Sequence, residues 1–301
     1  MKKILIPIMI IFVLITSACS KQSAAIENKS QNITYQSENG PVQVPAKPKR
    51  IVVLNSFVSG SVMALDGNIV GIDSWSKTNP QYEKYIKNAV EVSDENLEKI
   101  IQLEPDLIIA ASTNKNIDKL KKIAPTVVYT YGKVNYLNQF LEVGKLMSKE
   151  KEAQAWIDDF KKRAQKTGEE IKEKIGADTT VSVIESYEKQ LYVFGDNWGR
   201  GTEILYQEMK LKMPEKVREM ALKSGYYALS TEVLPEFAGN YVILSKNPDE
   251  DNSFQQTDTY KNIPAVKNNR VFEVSSKEFY FNDPITLDYQ LDFFKKNLLG
   301  N

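Results

Sequence analysis

Residues 149–174 read KEKEAQAWIDDFKKRAQKTGEEIKEK. Ala153, Trp156, Ile157, Phe160, Ala164 and Ile171 recur at three- and four-residue spacings through a proline-free run, which predicts one amphipathic helix roughly 38 Å long. Periodicity alone also fits an ordinary core helix. The flanks decide the matter, because the same α/β pattern runs on either side of the helix and then starts again.

On the amino-terminal side, Ile51 to Leu54, Ile69 to Ile72, Leu107 to Ala110 and Thr126 to Tyr129 are short continuous apolar runs. They alternate with helical stretches around Ser61 to Leu65, Asn96 to Leu103 and Ile117 to Ile123, as parallel strands covered on both faces do. Ahead of them, Ile33 to Gln36 and Val42 to Val44 flank Asn39-Gly40, a hairpin signal. Beyond the long helix, Val181 to Ile184, Leu191 to Phe194, Tyr241 to Leu244 and Val271 to Val274 read as strands, with helices over Thr202 to Met209 and near Thr231 to Phe237. Leu103 to Ile109 and Phe237 to Ile243 both pass from helix through a tight turn into a strand. The expected fold is α/β: two Rossmann-like lobes, 33–145 and 177–301, joined by a connecting helix over 146–176.

Composition removes whole classes of function. The 301 residues carry 39 basic and 39 acidic side chains, so no net field favours nucleic acid or an anionic surface. There is no histidine and one cysteine, Cys19. Ser-His-Asp and Cys-His catalysis, structural zinc and an intrachain disulfide are therefore excluded. Glu185, Glu188 and Asp196 lie near one another in sequence and would be the carboxylates of a surface hydrolase, but no nucleophile motif accompanies them.

Residues 1–18 read MKKILIPIMIIFVLITSA, two lysines followed by a short apolar run. That is the pattern of a secretory signal, too short for a spanning helix of about 20 residues. Thr16-Ser17-Ala18-Cys19 resembles a bacterial lipobox, which implies a diacylated Cys19 at the head of a polar tether over 19–32.

The densest chemical signal is Leu191 to Thr202, LYVFGDNWGRGT. A strand runs into a loop with Gly195, Gly199 and Gly201, expected at the carboxyl edge of a parallel sheet where ligands bind, with Thr202 capping the next helix. A plain strand-to-helix turn with Trp198 in the core is the alternative. The Gly-Lys-Ser/Thr ending of a phosphate loop is absent. Phe279-Tyr280-Phe281 are three successive aromatics, and at least one is expected to face solvent or a ligand. Phe57, Trp75 and Tyr131 each follow a strand of the first half. Together these rings describe an aromatic cleft. Of the five arginines only Arg200 lies in a candidate ligand loop, so a neutral or weakly charged ligand fits better than a polycarboxylate.

The lipobox, Lys49-Arg50-Ile51-Val52-Val53, Glu104-Pro105-Asp106-Leu107-Ile108-Ile109, Ala124-Pro125-Thr126, Gly195 to Gly201 and Asn282-Asp283-Pro284 together resemble the iron-hydroxamate siderophore-binding lipoproteins of Gram-positive bacteria, which bind ferrichrome and ferrioxamine. The resemblance spans the mature chain. It implies the class III periplasmic-binding-protein architecture, with a ferric siderophore held between the lobes and delivered to an ABC permease driven by a cytoplasmic ATPase. Tyr192, Trp198, Arg200 and Tyr280 fall on ligand-contacting positions, Arg200 donating to hydroxamate oxygens, with Tyr131 a further contact and Trp75 and Phe57 lining the cleft. Glu98 and Glu232 match the carboxylates, one per lobe, that dock on permease arginines. The siderophore would fill the iron's coordination sphere, so no cofactor of the protein's own is expected, and the chain is expected to be a monomer without catalytic activity. Haem held by methionine or tyrosine, and citrate or catecholate iron chelates, are the alternative ligands.

Overall fold

The computed structural model describes residues 32–247 and 249–300. The signal segment 1–18, Cys19 and nearly all of the 19–32 tether lie outside the described residues. Residues Gln31–Asn301 form one compact unit.

Twelve strands are present among the described residues. β1 (Asn32–Ser37) and β2 (Gly40–Pro45) pair antiparallel around a Glu38-Asn39 turn, with Ser37 opposite Gly40, whose φ is 102°. β3 (Ile51–Leu54), β4 (Ile69–Ile72), β5 (Val90–Glu91), β6 (Leu107–Ala111) and β7 (Thr126–Tyr129) form an all-parallel sheet of order β5-β4-β3-β6-β7. The second sheet contains β8 (Val181–Tyr187), β9 (Gln190–Phe194), β10 (Tyr226–Leu229), β11 (Tyr241–Lys246) and β12 (Val271–Ser275), in the order β10-β9-β8-β11-β12. Between the sheets in sequence runs the expected helix, Glu150–Ile175, burying Ala153, Ile157, Phe160, Ala164 and Ile171.

Strand alternation divides the core into three. In the first sheet Ile51, Val53, Leu107 and Ile109 face inward, while Val52, Leu54, Ile108 and Ala110 pack under helices on the outer face. In the second, Val181, Val183 and Ile243 face inward, and Ile184, Val193 and Leu244 outward. The two inner faces, the long helix and the carboxyl-terminal helix Pro284–Leu299 belong to one continuous apolar cluster. That last helix, although it follows the second sheet, packs against both Glu150–Ile175 and the helix Ser56–Ala64 that follows β3.

Asn282-Asp283-Pro284 explains how that helix is anchored. Asp283 is its N-cap, accepting from the backbone N–H of Ile285 (3.0 Å) and Thr286 (3.3 Å), and Pro284 opens the first turn. The same carboxylate accepts from the buried hydroxyls of Tyr82 and Thr286. Gly60 leaves room for it: a Cβ there would lie 1.9 Å from Asp283 Oδ1.

The second sheet departs from the parallel expectation. Tyr187 pairs with Gln190, so β8 and β9 make a hairpin whose loop, Glu188-Lys189, has φ of 48° and 67°. That is the two-residue turn whose twist suits antiparallel strands. No Asn-Gly or Asp-Gly pair flags it in the sequence. β10, also unflagged, pairs antiparallel to β9 and so runs in the direction of β8.

Candidate ligand cleft

The hairpin builds the floor of the site. Successive side chains alternate faces, so Val183, Glu185 and Tyr187 of β8 share one face. Cross-strand pairing of Glu185 with Tyr192 and of Phe194 with Tyr226 extends it over β9 and β10. Because β9 is antiparallel, the loop from Gly195 to Gly201 does not leave from the carboxyl edge of a parallel sheet, as the sequence suggested. It folds back across the sheet face. Gly199, Arg200 and Gly201 all have positive φ (70°, 58° and 79°), and the Arg200 N–H donates to the Phe279 carbonyl at 2.9 Å. A Cβ on Gly199 would lie 2.3 Å from the Tyr280 carbonyl oxygen, so only glycine lets the loop approach that closely.

Thr202 occupies the N-cap position of Glu203–Glu208, but its side chain makes no capping hydrogen bond. Its hydroxyl ties the loop together, accepting from the Trp198 N–H (3.3 Å) and lying 2.8 Å from the Gly199 carbonyl. Buried Glu203, at the start of a π-helical turn over Glu203–Glu208, accepts from the Gly199 N–H and Asn282 Nδ2, both at 2.9 Å. Burial pushes its carboxyl above the ordinary range despite these donors.

Arg200 is held on every side. Its guanidinium lies 4.9 Å from the Phe194 ring centre and 4.8 Å from that of Tyr280. Nη2 donates to Glu185 Oε1 (2.8 Å), Nε lies 3.2 Å from Oε2, and Nη1 donates to the Trp198 carbonyl (3.1 Å). Glu185, 1% exposed, also accepts from Ser245 Oγ at 2.7 Å. A guanidinium carries five N–H groups, so two remain for a ligand. Glu185 is thus the counter-ion of Arg200 rather than one of a pair of free carboxylates.

Of the residues expected at the site, Trp75, Tyr192, Trp198, Arg200 and Tyr280 line one cavity of about 310 Å³, together with Glu185, Tyr187, Phe194 and Tyr226. Phe57 and Tyr131 stand beside it as a wall. Their rings are 4.2 Å apart, Phe57 meets Trp75 at 5.4 Å, and Tyr131 meets Trp198 at 5.6 Å. Trp75 meets Tyr280 at 5.5 Å, so rings from both sheets close the circle. All three of Phe279, Tyr280 and Phe281 are buried; Tyr280 is the one that faces the cavity. Burial raises the Tyr280 hydroxyl pKa, and it stays a protonated donor at neutral pH. Beyond the Phe57–Tyr131 wall lies a second cavity of about 410 Å³.

Tyr187, Phe194 and Tyr226 were not among the residues expected to line the cleft. The alternation in Val181-Ser182-Val183-Ile184-Glu185-Ser186-Tyr187 places an acid and a ring on one face and was the available signal. Glu98, in the first turn of the helix Leu97–Gln102 after β5, and Glu232, after β10, are both exposed. β5 and β10 each lie at one edge of their sheet, and both acids follow the carboxyl ends of those strands.

A profile of the periplasmic binding protein family matches residues 51–278. The chain belongs to that family. It is 35% identical to the iron(3+)-hydroxamate-binding protein FhuD of Bacillus subtilis over 285 residues, 93% of this chain and 90% of that one. To YxeB, an iron(3+)-hydroxamate-binding protein of the same organism, it is 35% identical over 99% of this chain and 98% of that one. The structure of Staphylococcus aureus FhuD2 with bound ferrioxamine B matches with a TM-score of 0.80 at 35% identity, covering 84% of this chain and 99% of that chain. As in the family, an α/β fold with a long connecting helix carries the cleft. Among the described residues no cluster of carboxylates or cysteine could hold a metal ion.

Proposed function

We propose that this periplasmic binding protein captures ferric hydroxamate siderophores of the ferrioxamine and ferrichrome type and hands them to an ABC permease. The observation that carries the reading is the ring-lined cavity around Arg200, with its guanidinium clamped by Glu185 and two N–H groups left over. A ferric trihydroxamate is a compact, neutral chelate whose six oxygens bind the iron and keep lone pairs on the outer surface. Rings cover its apolar flanks, and Arg200, Tyr280 and Tyr131 donate to the oxygens. With the iron's coordination sphere filled by the chelator, a chain without histidine suffices. The two free donors give about 1.5 to 3 kcal/mol each, and three or four rings about 1.5 to 3 each before ordering costs, enough for micromolar or tighter binding at about 8 kcal/mol.

In this reading residues 1–18 are removed and Cys19 carries two acyl chains, holding a monomer at the outer face of the cell membrane by about 0.8 kcal/mol per buried methylene. The lobes are 33–145 and 177–301, bridged by 146–176. Glu98 and Glu232 flank the cleft and meet permease arginines. The protein binds and releases its ligand without chemical change. Equilibrium dialysis against radio-iron as ferrioxamine B, ferrichrome, citrate and a catecholate chelate tests it. Retention of the two hydroxamates alone is expected; retention of citrate or catecholate alone, or a Soret shift on adding haem with no hydroxamate bound, would overturn it.

A further inference from the structure

The Arg200 cavity, at about 310 Å³, sits at the lower limit for small-ligand sites, which run to about 1,000 Å³. It has room for the compact iron–hydroxamate head but little for the chains that join the hydroxamates. The neighbouring cavity of about 410 Å³ differs in chemistry. Six carboxamides line it, Asn55, Asn135, Gln139, Asn197, Gln207 and Asn282, beside two acids, Asp196 and Glu203, with no lysine or arginine among the lining residues.

Several of those amides have capacity to spare. The Gln139 side chain makes no hydrogen bond among the described residues, and its Nε2 is fully enclosed without a partner. Asn282 donates through Nδ2 to Glu203, and Gln207 through Nε2 to the Asp196 carbonyl, which leaves their amide oxygens as acceptors. A buried donor without a partner costs free energy, which a ligand's carbonyl would recover once the Gln139 amide turns to bring its enclosed Nε2 to the cavity. The cavity therefore offers donors and acceptors side by side on mostly neutral groups, the complement of a secondary amide.

The two cavities share a partition. Tyr131 and Phe57 line the amide side and touch Trp198 and Trp75 of the aromatic side. Asn197 and Trp198, adjacent in the chain, serve one cavity each. Tyr131 is 38% exposed, so the partition has an open crest over which one ligand can reach both sides.

We propose that this second cavity is the compartment for the amide-bearing arms of the chelator, and that it selects amide-linked hydroxamate siderophores over chelates that present the same iron head alone. The proposal rests on the ferric-hydroxamate reading. Its test uses the detergent-solubilised full chain, titrated with ferrioxamine B, whose hydroxamates are joined by amide-containing chains, and with ferric tris(acetohydroxamate) in excess acetohydroxamate, which has the same coordination and no linkers. Gln139→Leu and Asn197→Ala, on different elements, are compared with wild type after their thermal midpoints are matched.

Each variant is expected to weaken ferrioxamine B about three- to tenfold, the worth of one neutral hydrogen bond, and to leave tris(acetohydroxamate) binding unchanged. Equal losses for both chelates, or no loss for either, would overturn the second compartment while leaving the ferric-hydroxamate reading intact. Failure of the wild type to bind either chelate would overturn both.

Discussion

The Arg200–Glu185 pair is where stability and recognition meet, and a double-mutant cycle separates them. Glu185 is 1% exposed, and the side chains of Arg200 and Glu185 are 12% and 2% exposed. Removing either partner leaves the other charge in a largely dry site, a loss of about 3 to 5 kcal/mol for buried pairs. Arg200→Leu strands the Glu185 carboxylate with Ser245 as its remaining donor. It also removes the guanidinium from between Phe194 and Tyr280, about 0.5 to 2 kcal/mol per face. Glu185→Leu strands the guanidinium with the Trp198 carbonyl. In the double variant both desolvation costs vanish and two leucines fill the space, so its stability should return to within about 2 kcal/mol of wild type. Urea denaturation followed by fluorescence measures all four corners. The double variant, though folded, should no longer bind ferrioxamine B, because both free donors are gone. If the double variant loses the sum of the two single losses, the pair is not the coupled, desolvated unit described above.

Gly199→Ala forces a side chain at φ 70° to within 2.3 Å of the Tyr280 carbonyl. It should cost about 2 kcal/mol or more and weaken ligand binding, both read in one set of denaturation and titration curves. Burial raises the pKa of Asp283 above its unfolded value. The native state then takes up a proton at higher pH than the unfolded chain, so between the two pKa values stability falls as pH rises. Asp283→Asn should remove that component of the slope in urea midpoints measured between pH 4.5 and 7.5, and a curve parallel to wild type would contradict it. Glu98→Ala with Glu232→Ala should leave siderophore affinity unchanged and reduce cellular uptake of radio-iron ferrioxamine; undiminished uptake would remove these acids from the docking surface.

Most of the architecture was legible because parallel strands buried on both faces announce themselves as short apolar runs, and because Glu150–Ile175 carries a regular apolar stripe. The β8–β9 hairpin was not. Its turn is Glu188-Lys189, two residues with no intrinsic signal for positive φ, held there by the pairing of Tyr187 with Gln190. Missing the hairpin put the Gly195–Gly201 loop at the wrong edge of the sheet. The residue types at the cleft were nevertheless readable, since Trp198 and Arg200 sit among three glycines and Tyr280 between two phenylalanines. Glu185 stood out only as an acid; its role as counter-ion depends on a register that brings it opposite Tyr192 and under a loop fifteen residues further on. The amide-lined cavity is less legible still, because its six carboxamides are scattered from Asn55 to Asn282 and only the closed fold collects them.

Titration of intrinsic fluorescence with gallium and ferric ferrioxamine B tests the central claim most directly. The chain has three tryptophans. Trp75 and Trp198 line the Arg200 cavity, whereas Trp156 lies stacked on Phe160, 4.9 Å between ring centres, on the connecting helix. The account predicts saturable quenching by both metal forms that survives Trp156→Phe and disappears in the Trp75→Phe, Trp198→Phe double variant. Saturable quenching that follows Trp156 instead, or none with either metal, would contradict it.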